Sequence, residues 1–173
     1  MILLFAGSNN PYSINHTVLE WISGLMDTNR TELIKLSDYD FPMYSLIAEK
    51  TGFPDSLRRI REQIELASAL ILAVPEHNGS VPAFFKNMLD WLSRYRPEYR
   101  IFSGKKVYIL SASPGSGGDS AVRHMKDILA RMGAVVEHSL VIPDFYRHIE
   151  TDGKSNLPDD ALRQQLLTFI NKI

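Results

Sequence analysis

Cysteine is absent from the 173 residues, which excludes disulfides, thiolate metal sites and cysteine nucleophiles. Zinc fingers, thiol proteases and cysteine-dependent phosphatases go with them, and no metal ligand set is expected. A dominant charge is lacking too: 19 Lys and Arg stand against 20 Asp and Glu, for a net charge of -1. Such a balance cannot neutralise a run of phosphates, so nucleic acid is not an expected partner. No window holds the roughly 20 apolar residues that a membrane-crossing helix needs. The apolar start, MILLFAGS, is too short for a secretory leader and has neither basic flank nor cleavage site. These absences describe a soluble, cytoplasmic chain without a membrane partner. Its length suits one domain, 1–173, able to bury a core.

What is present alternates. Short apolar runs at 2–6, 31–36, 69–74, 106–110 and 134–142 read as strands, and amphipathic stretches between them read as helices. The 31–36 run is more polar, as at a sheet edge. Residues 37–54 lack periodicity and hold Pro42, Gly52 and Pro54, the mark of a long loop. Asp55 or Ser56 is placed to cap the next helix, and Asp159 or Asp160 the last one. The piece 151–158 is too short to separate domains. Strands alternating with helices predict an α/β sandwich with a five-stranded parallel sheet and helices on both faces. Ligands bind such sheets beyond the carboxyl ends of the strands, where strand order reverses, which directs attention to three loops.

After the first strand comes Gly7-Ser8-Asn9-Asn10-Pro11-Tyr12-Ser13-Ile14-Asn15. Gly7 permits a sharp turn, and Ser8, Ser13 and Asn15 crowd a helix start whose free N–H groups favour an anion. The same residues would equally serve as ordinary caps. No Gly-Lys-Ser/Thr follows, so this is not a Walker loop. After the third strand comes Pro75-Glu76-His77-Asn78-Gly79-Ser80-Val81-Pro82. Prolines stiffen its ends and Asn78-Gly79 allows positive φ. Backbone N–H groups can then face outward along a strip suited to a planar heterocycle, although an ordinary turn has the same sequence. Glu76 and His77 suggest an acid/base pair, but neighbours on a turn usually point apart. After the fourth strand, 111–118 holds Ser113, Gly115, Gly117 and Gly118, which let backbone approach a ligand closely. Each loop is a weak signal alone; their shared rim is what adds weight.

The helix over 82–95 carries Phe84, Phe85, Met88, Leu89, Trp91, Leu92 and Tyr95, more apolar surface than one sheet-facing stripe needs. Phe84, Trp91 and Tyr95 are expected outward, against a second subunit, unless the 95–104 connection covers them. The basic residues Arg94, Arg96, Arg100, Lys105 and Lys106 read as a solvated face.

Together the three loops resemble the NADPH-dependent FMN reductase family, which includes flavodoxin-like quinone, azo-dye and chromate reductases. Gly7, Ser8, Ser13 and Asn15 match its first motif, with Asn10 in the position of the family's Arg. Pro75-Glu76-His77-Asn78-Gly79-Ser80, Pro82, Lys86-Asn87 and Asp90-Trp91 nearly complete its second, with His77 in place of Tyr. Residues 111–118 match the third, and Phe41-Pro42-Met43-Tyr44 looks like a further family segment. The resemblance implies a flavodoxin-like three-layer sandwich with strand order 2-1-3-4-5, and FMN with NADPH or NADH as co-substrate.

It implies that Ser8, Asn10, Ser13, Ile14 and Asn15 meet the flavin phosphate. Pro75, Glu76, His77, Asn78 and Gly79 would lie along the ring, with Ser113, Gly115 and Gly118 on its other side. It also implies a homo-oligomer, with the 82–95 helix at the contact. Asn10 replaces charge-assisted contacts with neutral ones, roughly half as strong, so weaker FMN retention is expected. The reaction implied is hydride transfer from NAD(P)H through FMN to a small-molecule electron acceptor, in ping-pong order and without a side-chain catalyst. The alternative is a non-catalytic flavin-binding or electron-transfer module. A receiver-like regulatory domain is set aside, because Gly7-Ser8 and Pro75-Glu76 stand where it needs acidic residues and a phosphorylatable Asp.

Overall fold

The computed structural model describes residues 1–95, 100–151 and 156–173. Its elements are β1 (Ile2–Ala6), α1 (Ile14–Leu25), β2 (Thr31–Ile34), α2 (Leu46–Thr51), α3 (Asp55–Leu66), β3 (Ala69–Ala73), α4 (Ala83–Arg94), β4 (Lys106–Ala112), α5 (Asp119–Arg131), β5 (Val135–Ile142), β6 (Ile149–Thr151), β7 (Asn156–Pro158) and α6 (Asp160–Ile170). Strands β1 to β5 form a parallel sheet in the order β2-β1-β3-β4-β5, the expected one, while β6 and β7 pair as a separate antiparallel hairpin.

Successive side chains of a strand point to opposite faces, and the sheet divides its residues accordingly. Leu3, Phe5, Leu70, Leu72, Val107 and Ile109 pack with residues of α3, α4 and α5. Leu4, Ala6, Ile71, Ala73, Tyr108 and Leu110 pack with residues of α1 and α6. Helices on both faces explain why β1 and β3 are near-continuous apolar runs rather than alternating ones. Each large aliphatic side chain so buried contributes about 1.5–3 kcal/mol. The edge strands β2 and β5 are less buried. The register sets Ala6 beside Ala73 and Ala73 beside Leu110, so the loops after β1, β3 and β4 leave the sheet side by side.

Several expectations are corrected. Strand β2 ends at Ile34, two residues early, because the chain turns into a 3-10 turn at Leu36–Asp38. The 37–54 segment contains α2 and lies over α4. Trp91 is 1% exposed and its Nε1–H donates to the Pro42 carbonyl (2.8 Å). Tyr44 and Phe53 meet its ring edge-on at 5.3 and 5.9 Å. Phe84 stacks on Phe41 at 5.0 Å and Tyr95 meets Phe53 at 4.7 Å. The aromatics expected to face a partner are thus covered by an upstream segment whose pattern gave no hint of order. Within the 95–104 connection, residues 96–99, Arg96 included, lie outside the described residues, as do 152–155 of the short 151–158 piece.

One cap and one cation also differ. Pro54 is the N-cap of α3, with no side-chain cap bond; Asp55 is the first helical residue and the Ser56 hydroxyl donates to the Asp40 carbonyl (2.7 Å). Asp159 does cap α6, accepting from the Leu162 N–H at 2.6 Å. Lys105 is not simply solvated: Nζ donates to the carbonyls of Glu65 (3.0 Å) and Ala67 (2.7 Å). There it satisfies the C-terminal end of α3.

Candidate functional site

The three rim loops are held together by bonds that start at the strand ends. Gly7 N–H donates to the Ala73 carbonyl (2.8 Å) and Val74 N–H to the Leu110 carbonyl (2.7 Å), extending the sheet by one rung. Gly7 is required by packing, not by its dihedral angles: a Cβ at this position would enter the Phe85 ring. Ser111 belongs to β4 rather than to the loop, and its hydroxyl donates to the Val74 carbonyl at 2.6 Å.

Within the first loop, Ser8 Oγ accepts from Asn10 N–H (3.1 Å) and Asn10 Oδ1 accepts from Tyr12 N–H (2.9 Å). Both side chains therefore shape the loop itself. Asn15 is 2% exposed; its Nδ2 donates to the Ala112 carbonyl (2.8 Å) and its Oδ1 accepts from Ala112 N–H (2.9 Å). This reciprocal pair welds the start of α1 to the end of β4. Ser13 is different. It is the N-cap of α1, 7% exposed, yet its hydroxyl makes no cap bond. The N–H groups of Ile14 and Asn15 also take no acceptor among the described residues, so this helix end keeps its donors.

In the second loop, His77 N–H donates to the Ser80 carbonyl (2.9 Å) and Ser80 N–H donates back to His77 (3.1 Å). Asn78 at φ +52° and Gly79 at φ +76° form the tip, a tight primed-type turn. The N–H groups of Asn78 and Gly79 take no acceptor among the described residues, and the space beside Gly79 is open. Pro75 is buried, and His77 is exposed. Glu76 turns the other way: its Oε2 accepts from the N–H groups of Gly118 (2.8 Å), Ser120 (3.0 Å) and Ala121 (3.2 Å). Burial pushes its pKa up, but the Ala121, Gly118 and Ser120 N–H groups and the charge of Arg123 outweigh this and hold the carboxyl below its ordinary range. Glu76 and His77 thus form no acid/base pair. Ser80 Oγ and His124 Nδ1, 2.8 Å apart, add a second link to α5.

The third loop is fixed from the opposite side. Ser113 N–H donates to Ile142, Phe145 N–H to Ser113 and Asp144 N–H to Gly115, at 3.0, 2.9 and 2.8 Å, while the Ser113 hydroxyl closes onto the Gly115 carbonyl. Gly118, at φ +123°, would press a Cβ against Val141 and Ser111, whereas Gly115 faces open space. Sequence reasoning placed Ala112 inside the third loop and Phe85 in the core, and gave no role to His124 or to residues 143–145, whose turn residues Pro143 and Asp144 are the local signal that could have found them.

The rim is open beside Gly79 and Gly115. A cavity of about 530 Å³ lies instead between α1, α6 and the β6–β7 hairpin, beside Trp21, Leu25, Leu157 and Arg163, and none of the rim residues lines it. The rim stands out by its unpaired donors in two separate loops, a pattern suited to a ligand with an anionic tail and a planar edge of acceptors. Residues 1–146 match the model of the NADPH-dependent FMN reductase family. The chain belongs to that family. It is 37% identical over 168 residues to an NAD(P)H-dependent FMN reductase of Pseudomonas aeruginosa, covering 94% of this chain and 87% of that one. A quinone reductase of Escherichia coli K12 is 37% identical over 99 residues, 56% of this chain and 52% of its own length. Among solved structures, the flavoenzyme NAD(P)H:(acceptor) oxidoreductase FerB from Paracoccus denitrificans superposes with a TM-score of 0.77 and 26% identity, covering 98% of this chain and 92% of that one. For this FMN reductase family member, then, the fold as a whole superposes on that of a known flavoenzyme.

Proposed function

We propose that this chain is an NAD(P)H-dependent FMN oxidoreductase that passes electrons to a small acceptor such as a quinone. The observation that carries the reading is the pair of donor sets left without acceptors among the described residues on one rim: Ser13, Ile14 and Asn15 at one loop, Asn78 and Gly79 at the other. These residues fit FMN. The helix start of α1 offers two N–H groups and a hydroxyl to the phosphate, and the open backbone at Gly79 and Gly115 leaves room for a flat ring. Asn15 contributes its backbone N–H, since its side chain is engaged with Ala112, and Ser8 and Asn10 contribute by fixing the loop. Glu76, held by α5, contributes by anchoring the Pro75–Gly79 turn.

When bound, FMN supplies hydride acceptance and electron delivery, so no side-chain acid or base is required. The chain's own task is to hold, orient and polarise: the Asn78 and Gly79 N–H groups favour negative charge wherever it develops beside them. NAD(P)H and acceptor would use the same open face in turn, giving ping-pong kinetics. The whole chain, 1–173, acts in this reading as one flavin-binding unit in the cytoplasm. No helix among the described residues is long and apolar enough to cross a membrane. Self-association would use Met43, Leu46 and Ile47, which are exposed on the segment covering α4, rather than the aromatics of α4 itself.

The test is direct. Purified protein, as isolated or after incubation with FMN, should show a flavin absorption band and oxidise NADH or NADPH when a quinone is added. A colourless protein that takes up no FMN overturns the reading. A flavin-loaded protein inert toward both nicotinamides instead supports an electron-transfer module, for which the near-zero net charge offers no docking field.

A further inference from the structure

The Asn78-Gly79 tip is held in place by a distant helix and not by its own stretch of chain. Strand β3 ends at Ala73 and α4 begins at Ala83, and no side chain of either is hydrogen-bonded to residues 75–80 among the described residues. The grip comes from α5. Glu76, at the entry to the turn, accepts from the N–H groups of Gly118, Ser120 and Ala121. Half-buried Ser80, at the exit, has its Oγ 2.8 Å from Nδ1 of the exposed His124. Ser120 and His124 stand four residues apart in α5, neighbours on one face of the helix. Between the Glu76 and Ser80 anchors, the reciprocal bonds of His77 and Ser80 close the turn, leaving Asn78 and Gly79 as its tip. Because α5 starts where the third loop ends, with Gly118 as its N-cap, the anchors also fix the second loop against the third. A turn tied at one end alone can pivot about that tie; the second tie removes the pivot.

We propose that His124 is a positioning residue: through Ser80 it holds the Asn78 and Gly79 N–H groups in place for bound flavin and so raises the flavin's reduction potential. The inference rests on the reading that the rim binds FMN. His124 acts through Ser80 and offers no group to the ring. Uptake of a hydride, two electrons with one proton, adds one negative charge to the flavin. Donors stabilise such charge best when they need not move to meet it, so a wandering tip costs the reduced flavin more than the oxidised one. A solvent-accessible neutral hydrogen bond adds little to overall stability, since water replaces it. The consequence of the Ser80–His124 contact is therefore the placement of the tip.

The experiment compares full-length wild type with Ser80→Ala, His124→Ala and His124→Asn, the last of which keeps an amide able to pair with the Ser80 hydroxyl. In flavin-free protein, amide hydrogen exchange at His77 and Ser80, followed by NMR, should quicken by about 2- to 10-fold in either alanine variant. His124→Asn should bring it back toward the wild-type rate. In FMN-loaded protein, the two-electron potential should fall by about 30 mV in either alanine variant, which corresponds to a tenfold loss of preference for reduced flavin. The double variant should fall no further than each single one, because both substitutions remove the same bond, and His124→Asn should restore the potential. An unchanged exchange rate, or an unchanged potential with FMN bound, overturns the inference and leaves the flavin reading standing. A potential that falls but is not restored by His124→Asn overturns it too, since the ring and not its bond to Ser80 would then matter. Protein that takes up no FMN fails the flavin reading and, with it, the role given to His124, even where the exchange rates show the turn to be held by α5.

Discussion

Helices α1 and α5 leave the same rim of the sheet, and their first turns are finished in opposite ways. At α5, Glu76 from another loop accepts from Gly118, Ser120 and Ala121, and Asp119 adds acid to the first turn. At α1, the N-cap Ser13 makes no side-chain bond, the first turn holds no acid, and Ile14 and Asn15 N–H lack acceptors among the described residues. One terminus is closed from within the fold and the other is left open among the described residues. A helix start is therefore not made a binding site by its dipole alone; the protein must also withhold its own caps.

Three substitutions break this comparison, in order of size. Asn15→Ala comes first, because it removes both bonds to Ala112 at a site only 2% exposed. Orphaning a buried N–H and C=O should lower unfolding free energy by about 2–4 kcal/mol, read by urea denaturation. A loss under about 1 kcal/mol would mean that water replaces the amide and that the two loops are not welded there.

Glu76→Ala follows. Three backbone donors lose a charged acceptor, at a cost of about 1.5–3 kcal/mol, and the α5 terminus becomes open like that of α1. Sulfate should then raise the variant's melting temperature more than the wild type's; an equal response would contradict the closed-terminus account. The same contact sets a pH dependence. Because the folded carboxyl titrates below its ordinary range, its stabilisation is fully present above the unfolded pKa of about 4.3 and is lost as pH falls through the depressed folded value. Melting curves of wild type and Glu76→Gln should therefore converge on acidification from pH 6 toward pH 3, roughly spanning that range. Divergence would reverse the sign.

Ser13→Ala should have the smallest effect on folding. An ordinary N-cap deletion costs about 1 kcal/mol, but this hydroxyl makes no cap bond, so the melting temperature should hardly move. FMN affinity should nevertheless fall by about 2- to 10-fold. A stability loss of ordinary size with unchanged flavin affinity would show that α1 is capped in solution as α5 is.

Much of the fold was legible. The apolar runs at 2–6, 69–74 and 106–110 gave strands at β1, β3 and β4, and parallel pairing followed from the helices between them. The membership of the three loops in one rim was legible for the same reason. The roles inside the loops were not. Glu76 reads as a candidate acid, yet its partners lie more than 40 residues away at α5. Asn15 reads as a phosphate ligand, yet its amide serves Ala112, 97 positions along the chain. Trp91 reads as outward-facing because helical periodicity counts faces without saying which segment will cover them. Residues 37–54, aperiodic in sequence, provide that cover through Pro42, Tyr44 and Phe53.

The sequence by itself determined the alternation of elements, the parallel sheet and the turn chemistry at Asn78-Gly79, since each depends on residues a few positions apart. Only the tertiary structure decided which helix terminus stays open, which polar side chains are occupied and which aromatic face is covered. Those outcomes depend on long-range partners, and a hydrogen-bonding group is free or engaged only relative to whatever the completed fold brings beside it.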